Sequence, residues 1–427
     1  MRRPRVECRL GPGLLAFLAL GLGLAGCSGG EQGRAPLSVF GPWRGEQAAS
    51  FRALLDDFEA ESGIKVRYTG TGSFPEAIVD RVEEGDPPDI AIFPQPALLE
   101  ELVARGYVLS LPDDIARLAR TNYLPTIAEV DRTVRSIDGV LVRVNVKSLV
   151  WYRPGLFEAR GYTIPTTWEE LVALTARMAA DGYAPWCLGL ESFDSDGWPA
   201  TDWVEDIVLR FGGTPVYDGW VTGSIPFTDQ AIAGAVEEFG RLALAATEPI
   251  GGRRSVVNTP VNEAQDPMFE SPPRCLMYRQ ASFQIDNLPE GVEVGTGEET
   301  DVFVLPGREA GAPAPLLIGG DFAAALTDRE EAFALLRFLA SPESGEAWAR
   351  RGDYISPFSD FDLDRYGSVF DARMAGLVAD AGVVRFDASD LMYPPVGTGT
   401  FRDAMVLFAA TSQLDEALRL AQSGYDQ

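Results

Sequence analysis

The chain has 427 residues, 63 of them acidic against 36 basic, and it contains no histidine. That removes His-based triads, His general acids and His metal ligands together, while the net charge of −27 speaks against nucleic acid and anionic lipid headgroups as partners. A chain of this length exceeds one ordinary core and calls for two lobes.

The N-terminus reads as a lipoprotein export signal. Arg2, Arg3, Arg5 and Arg9 precede an apolar run from Leu14 to Ala25, and Leu24-Ala25-Gly26-Cys27 closes it, the layout of a cleaved secretory signal. The run is too short for a transmembrane helix, which needs about 20 residues. The expected boundaries are a signal over 1–26, lipidation at Cys27 and a Gly- and Ser-rich flexible tether over 27–35. Cleavage removes those four arginines and Glu7, leaving 32 basic and 62 acidic residues. Lys65 and Lys147 are the only lysines. Cys8 leaves with the signal, so Cys187 and Cys275 are the remaining thiols of an exported chain. That favours a disulfide between them, the alternative being two separately buried small hydrophobes.

From residue 36 the pattern alternates strand, loop and helix. Leu37–Phe40 is a strand, followed by the turn Gly41-Pro42-Trp43-Arg44-Gly45. Ala48, Phe51, Leu54, Leu55 and Phe58 then form one apolar helical stripe that Gly63 stops. Ile64, Val66 and Tyr68 alternate as a second strand, and Asp89–Phe93 is a third before a helix from Pro96. Such an order implies right-handed crossovers and a parallel sheet, with ligands beyond the carboxyl ends of the strands. Trp43, Glu46 and Gln95 leave those ends and are expected on one rim. In the second lobe Thr166-Thr167-Trp168-Glu169-Glu170 reads as a capping box opening a helix to Gly182. Further on come a strand over 187–190, a helix over 199–211 stopped by Gly212-Gly213, and a long helix capped by Thr228-Asp229. Strands are expected over 275–278, 302–305 and 316–318, with Gly319-Gly320-Asp321 as a turn after the last. Helices close the chain.

Several segments carry a family likeness: GPWRGEQ from Gly41, PPDIAIFPQP from Pro87 to Pro96, VKSLVWYRPGLFEARGYTIPTTWEEL from Val146 to Leu171, GWPATDW from Gly197, CLMYRQASF from Cys275 and GGDF from Gly319. On these the chain resembles the family 1 solute-binding proteins of ABC sugar importers, the maltose-binding-protein-like group, and within it the α-glucoside branch. The resemblance implies an α/β periplasmic-binding-protein-like fold of two lobes, each a mainly parallel sheet flanked by helices, joined by hinge crossings. Transferred to this chain, lobe 1 spans 36–146 and 304–350, and lobe 2 spans 147–303 and 351–427. The implied function is a lipid-anchored, non-catalytic monomer, extracytoplasmic, that needs no cofactor or metal. It captures a mono- or oligosaccharide, an α-glucoside, and hands it to membrane permease subunits. The alternative is another polar cargo, a polyol or a peptide.

A sugar has apolar faces and hydroxyl edges, so its site needs flat aromatic plates plus groups that donate and accept. Trp43, Trp198 and Trp203 are the candidate plates, each also readable as a packing tryptophan. Asp202, Arg279, Gln280 and Asp321 are the candidate hydrogen-bonding groups. Their plainer roles are helix capping for Asp202, an ion pair for Arg279 and a tight turn for Asp321. Glu46 and Gln95 rest on loop position alone. Glu191, Asp194 and Asp196 admit a glycosidase reading, since hydrolysis needs only two suitably spaced acids, but acidic clusters arise readily in so acidic a chain. Asp360, Asp362 and Asp364 alternate like a calcium loop, yet Arg365 stands where glycine is needed.

Overall fold

Ten strands form two sheets among the described residues: β1 (Leu37–Gly41), β2 (Val66–Gly70), β3 (Ile90–Phe93), β4 (Val140–Val146), β5 (Leu149–Tyr152), β6 (Ala184–Trp186), β7 (Cys275–Arg279), β8 (Asp301–Val304), β9 (Leu316–Ala325) and β10 (Val384–Phe386). The computed structural model describes residues 35–133, 138–192 and 195–426. The expected export signal, Cys27 and the expected tether up to residue 34 lie outside them. Pro36–Gln427 forms one unit, and no helix among the described residues is long and apolar enough to cross a membrane.

The first sheet has the order β10-β9-β3-β1-β2, with β4 also on β9. β1 pairs parallel with β2 and β3, as the strand–helix–strand reading requires. β3, Ile90-Ala91-Ile92-Phe93, is central and wholly buried, whereas the outermost β2 alternates buried and open positions, as one covered face dictates. Between β1 and β2 the helix Gly45–Ser62 buries Phe51, Leu54, Leu55 and Phe58 and ends on Gly63 in a left-handed cap, which glycine adopts without steric cost.

The second sheet, β6-β7-β5-β8, departs from the mainly parallel arrangement expected of it. Only β6 and β7 run parallel, while β5 is antiparallel to both β7 and β8. The cause is the crossing between the halves. β4 and β5 carry the chain out and β8 and β9 carry it back, side by side and in opposite directions, so β4–β9 and β5–β8 are both antiparallel ladders. The seam sits at Lys147 and Ser148, where Lys147 N–H donates to Leu317 O, Leu305 N–H to Ser148 O, and Leu317 N–H to Ser148 Oγ. Thr167 caps the helix Trp168–Ala180 by accepting from Glu170 N–H, and Glu170 accepts in return from Thr166, completing the expected box. Cys187 and Cys275 are bonded, with Cα atoms 5.2 Å apart.

Three further expectations are corrected. Gly319-Gly320-Asp321 is no turn but the middle of β9. A Cβ on Gly320 would sit 2.6 Å from Arg143 O, so glycine here lets β4 and β9 lie close. The strand expected over 187–190 lies earlier, at Ala184–Trp186. The helix from Trp198 does stop at Gly213 (φ 71°), as expected, and a second one follows it to Val221. The segment 351–427, given by sequence to the second lobe, belongs to it only in part: β10 adds to β9 of the first sheet, while the helix Phe401–Thr411 packs on the helix from Trp198.

Candidate functional site in the cleft between the sheets

Two adjoining chambers lie where β1 and β3 end and where the chain crosses between the halves, the place expected of ligands in open α/β sheets. The outer one, about 590 Å³, is lined by Trp43, Glu46, Gln47, Arg143 and Asp286 among others. The inner one, about 230 Å³, is lined by residues including Gln95, Lys147, Trp198, Asp387, Asp390 and Arg402. Pro94, Asn145, Phe283 and Asp321 border both. A larger hollow of about 650 Å³ around Trp168, Ile207, Phe211 and Glu238, with Arg308 at its edge, lies away from the strand ends of the first sheet. The cleft is therefore the stronger candidate.

In the outer chamber Trp43 is held by its backbone. Its N–H donates to Tyr68 Oη at 2.9 Å, and that hydroxyl donates back to Trp43 O. Gly70 permits this, since a Cβ there would meet Trp43 O at 1.8 Å. The indole packs edge-on against Phe51 and Trp348, and the Arg143 guanidinium lies 5.2 Å from its centre. Arg143 also covers Trp348 and pairs with Asp321 at 2.8 Å and Asp353 at 2.7 Å. Trp43 thus reaches the chamber wall with its ring already engaged and only 2 % of its surface open. Burial raises the Asp321 carboxyl, and Arg143 offsets part of that rise. Glu46 is exposed, 3.7 Å from Arg351. Gln47 donates to Asp353 and, across to the loop after β7, to Asp286.

Trp198 is the plate of the inner chamber. It is half-buried, donates from Nε1 to Ser192 Oγ, and lies near Phe283 and below Lys147 Nζ. Behind it lies a sealed ionic network. Lys147 bonds Asp387 and Asp202; Arg279 bonds Asp202 at 2.8 Å and Asp206 at 2.6 Å. Arg210 bonds Asp206 and the carbonyls of Leu305, Pro306 and Pro315, tying the network to the return crossing. Burial drives the Asp202 carboxyl up to about 6 against the pull of Lys147 and Arg279. It also raises Asp387, but Lys147 outweighs it and leaves that group below the usual carboxylate range.

Asp202, Glu205 and Asp387 bring ligand oxygens within 4.8 Å of one another, a spacing a cation would suit. The Lys147 ammonium already supplies that charge to Asp202 and Asp387. Glu205 accepts from the backbone N–H groups of Ala388 and Ser389. Burial and the Asp387 charge push its carboxyl well above the ordinary value. The trio therefore suits an internal ammonium rather than a bound ion.

The structure gathers Trp43, Glu46, Gln95, Trp198 and Asp321 around the chambers. It places the other four sequence candidates behind the wall. Asp202 and Arg279 neutralise each other in the network. Gln280 spends its amide on Tyr278 Oη and Ala281 N–H. Trp203 is fully buried, edge-on to Trp186. Of the glycosidase carboxylates, Asp194 lies outside the described residues and Asp196 accepts from Ser192 N–H. Sequence reasoning missed Lys147, Asp387, Asp390 and Arg402. One signal was available for the first, a lone lysine in the apolar stretch Val146 to Tyr152.

A model of the bacterial extracellular solute-binding proteins matches residues 41–346. The chain is 38 % identical over 399 residues, 91 % of its length and 87 % of the relative's, to the alpha-glucosides-binding periplasmic protein AglE of Rhizobium meliloti. It is also 38 % identical over 392 residues to the osmoprotective compounds-binding protein GgtB of Synechocystis sp., covering 90 % and 91 % of the two chains. Among solved structures it shares its fold with the bacterial solute receptor AcbH (TM-score 0.73, 18 % identity, 92 % of this chain and 98 % of that one). It shares it also with maltose-bound MalE3 of T. maritima (TM-score 0.67, 19 % identity, 92 % and 99 % covered). Two sheets joined by paired crossings, a cleft at the strand ends, and a match over most of the length lead to one conclusion: the chain belongs to the bacterial extracellular solute-binding protein family.

Proposed function

We propose that this protein is the carbohydrate receptor of an ABC importer, taking a mono- or oligosaccharide, an α-glucoside, into the cleft and delivering it to membrane permease subunits. Membership of an extracellular family puts the work outside the cytoplasm; in this reading a lipid on Cys27 holds a monomer to the membrane. The observation that carries the reading is the composition of the cleft. A half-buried indole, Trp198, stands beside polar groups whose charges are matched, Lys147 with Asp387 and Arg143 with Asp321. Matched charges suit a neutral, hydroxyl-rich guest. A phosphorylated sugar or a zwitterionic peptide would need an unpaired cation. The specificity in the name of the AglE relative supports an α-glucoside, and binding without turnover completes the reading.

A ligand shifts two lobes toward closure only by contacting both. Gln95 and Asp321 on the first half, and Trp198 on the second, meet that condition across the inner chamber. The equal identity to GgtB favours a second reading, an osmoprotective polar solute in the same cleft. Thermal unfolding in the presence of maltose, trehalose, sucrose, sorbitol or glycine betaine separates the two, because a ligand of the native state raises Tm by mass action. A rise with the disaccharides is expected. A rise with sorbitol or betaine alone replaces the first reading by the second. Release of glucose from the disaccharides during incubation would overturn the receptor reading.

A further inference from the structure

The inner chamber wall differs from the network behind it in how its polar groups are spent. Asp390 and Arg402 are both nearly buried, yet they meet only at 3.5 Å, between Asp390 Oδ1 and Arg402 Nη2. Asp390 Oδ2 stands 4.0 Å from Lys147 Nζ. Neither separation is a good hydrogen bond, which for N–H···O lies near 2.9 Å. Arg402 Nε is buried with no hydrogen-bond partner, and so is Gln95 Oε1. All three residues line the inner chamber. Gln95 precedes the first-half helix Pro96–Ala104, while Asp390 and Arg402 lie on helices packed against the second-half helix Trp198–Val221. Buried polar groups are nearly always satisfied, and those that are not call for an explanation. Here a carboxylate, a guanidinium and an amide oxygen, from both halves, border one small chamber.

We propose that Asp390 and Arg402, with Gln95 across the crevice, form the hydroxyl-reading face of the cleft. Resting on the carbohydrate reading, it holds two adjacent hydroxyls of one sugar ring against Trp198. One hydroxyl donates to the Asp390 carboxylate and its neighbour accepts from Arg402 Nε, filling the gap between the two side chains. A further hydroxyl donates to Gln95 Oε1, so that one ring touches both halves at once. The chamber volume agrees: about 230 Å³ is below the ~300 to 1,000 Å³ typical of pockets for drug-sized molecules, the scale of a single ring. The rest of an oligosaccharide extends past Phe283 and Asp321 into the outer chamber.

The test is calorimetric titration of the full chain with maltose, trehalose and sucrose, followed by Asp390→Asn, Arg402→Lys and Gln95→Ala with whichever sugar binds. Each variant is expected to lose at least tenfold in affinity while keeping its circular dichroism and unfolding transition. Monodeoxy derivatives of that sugar sharpen the result. The derivative lacking the hydroxyl that Asp390 reads should bind the native protein weakly and Asp390→Asn no more weakly than that, the non-additivity of a direct contact. Arg402→Lys keeps the charge beside Asp390, and Gln95→Ala sits on the other half, so a folding failure in one variant leaves the others informative. Sugar binding that survives all three substitutions overturns this assignment and leaves the carbohydrate reading standing. No binding of any sugar to the native protein removes that reading, and this assignment with it.

Discussion

Lys147 stands between two polar regions that look alike in sequence and behave oppositely in space. Behind it, Asp202, Asp206, Arg210 and Arg279 are saturated by one another, by Ser148 and by backbone carbonyls. In front of it, Asp390, Arg402 and Gln95 border a cavity with hydrogen-bonding capacity left over. Both regions are rich in the side chains that recognise hydroxyls, so residue type does not tell them apart. Satisfaction does: a polar group whose hydrogen bonds are all made holds the fold, and one with bonds left to make is available to a guest.

The largest expected effect comes from breaking the saturated side. Arg279→Met takes one partner from each of two buried carboxylates, leaving Asp202 to Lys147 and Asp206 to Arg210, and removing one partner from such a network typically costs about 3 to 5 kcal/mol. Urea unfolding followed by tryptophan fluorescence reads this directly. The fraction that remains folded should bind sugar with native affinity, because Arg279 does not border either chamber. A stable Arg279→Met protein with lost binding would move the boundary between the two regions.

Next in size is the covalent tie beneath the second sheet. Cys187 and Cys275 lie 88 positions apart; the loop they close includes the helix that carries Asp202 and Asp206, and Cys275 opens the strand that carries Arg279. Paired replacement by serine is expected to cost about 2 to 5 kcal/mol, seen as a lower urea midpoint than the oxidised protein shows. Reduction with dithiothreitol should lower it likewise. On the cavity side, Trp198→Ala should leave stability nearly unchanged, since the ring is half-buried, and weaken the bound sugar about 10- to 100-fold, on the order of 1.4 to 2.7 kcal/mol. Trp43→Ala should do the reverse, lowering stability by opening the packing around Arg143.

Much of this architecture was legible in the sequence. The stripe of Phe51, Leu54, Leu55 and Phe58, the Thr167 cap and the pairing of Cys187 with Cys275 are local patterns or simple bookkeeping, and the structure contains them. Trp198 and Gln95 were found because loops leaving strand ends are a geometric forecast. The rest depended on distant partners. Lys147 and Asp387 are 240 positions apart and Arg279 and Asp202 are 77, so no local pattern shows which buried charges cancel. Gly319-Gly320 reads as a turn until β4 is seen passing within reach of Gly320. Asp390 and Arg402 belong to the cleft only because the closing helices fold back onto the helix from Trp198.

A last test, on pH dependence, asks what happens to a buried carboxylate with no cation to match it. Asp371 is nearly as buried as Asp202, but its Oδ2 has no partner, and it borders a separate hollow with Asp286 and Asp353. Burial and the Asp353 charge push its carboxyl up to about 7, above the about 6 of Asp202. Unfolded aspartate titrates near 3.9, so between about pH 4 and pH 7 the native state holds this proton more tightly. Its contribution is full below pH 4 and is lost as pH rises through 7, at no more than about 1.4 kcal/mol per pH unit. Asp387 and Asp206, held low by Lys147 and by Arg210 with Arg279 against burial, act in the opposite sense and lose their contribution only in acid. Asp371→Asn keeps an acceptor for the backbone and cannot ionise, so urea midpoints between pH 5 and 7.5 should fall less steeply than in the native chain, the variant being the more stable at pH 8. An unchanged slope would mean that Asp371 finds a counter-charge in solution, which would put it with the saturated group after all.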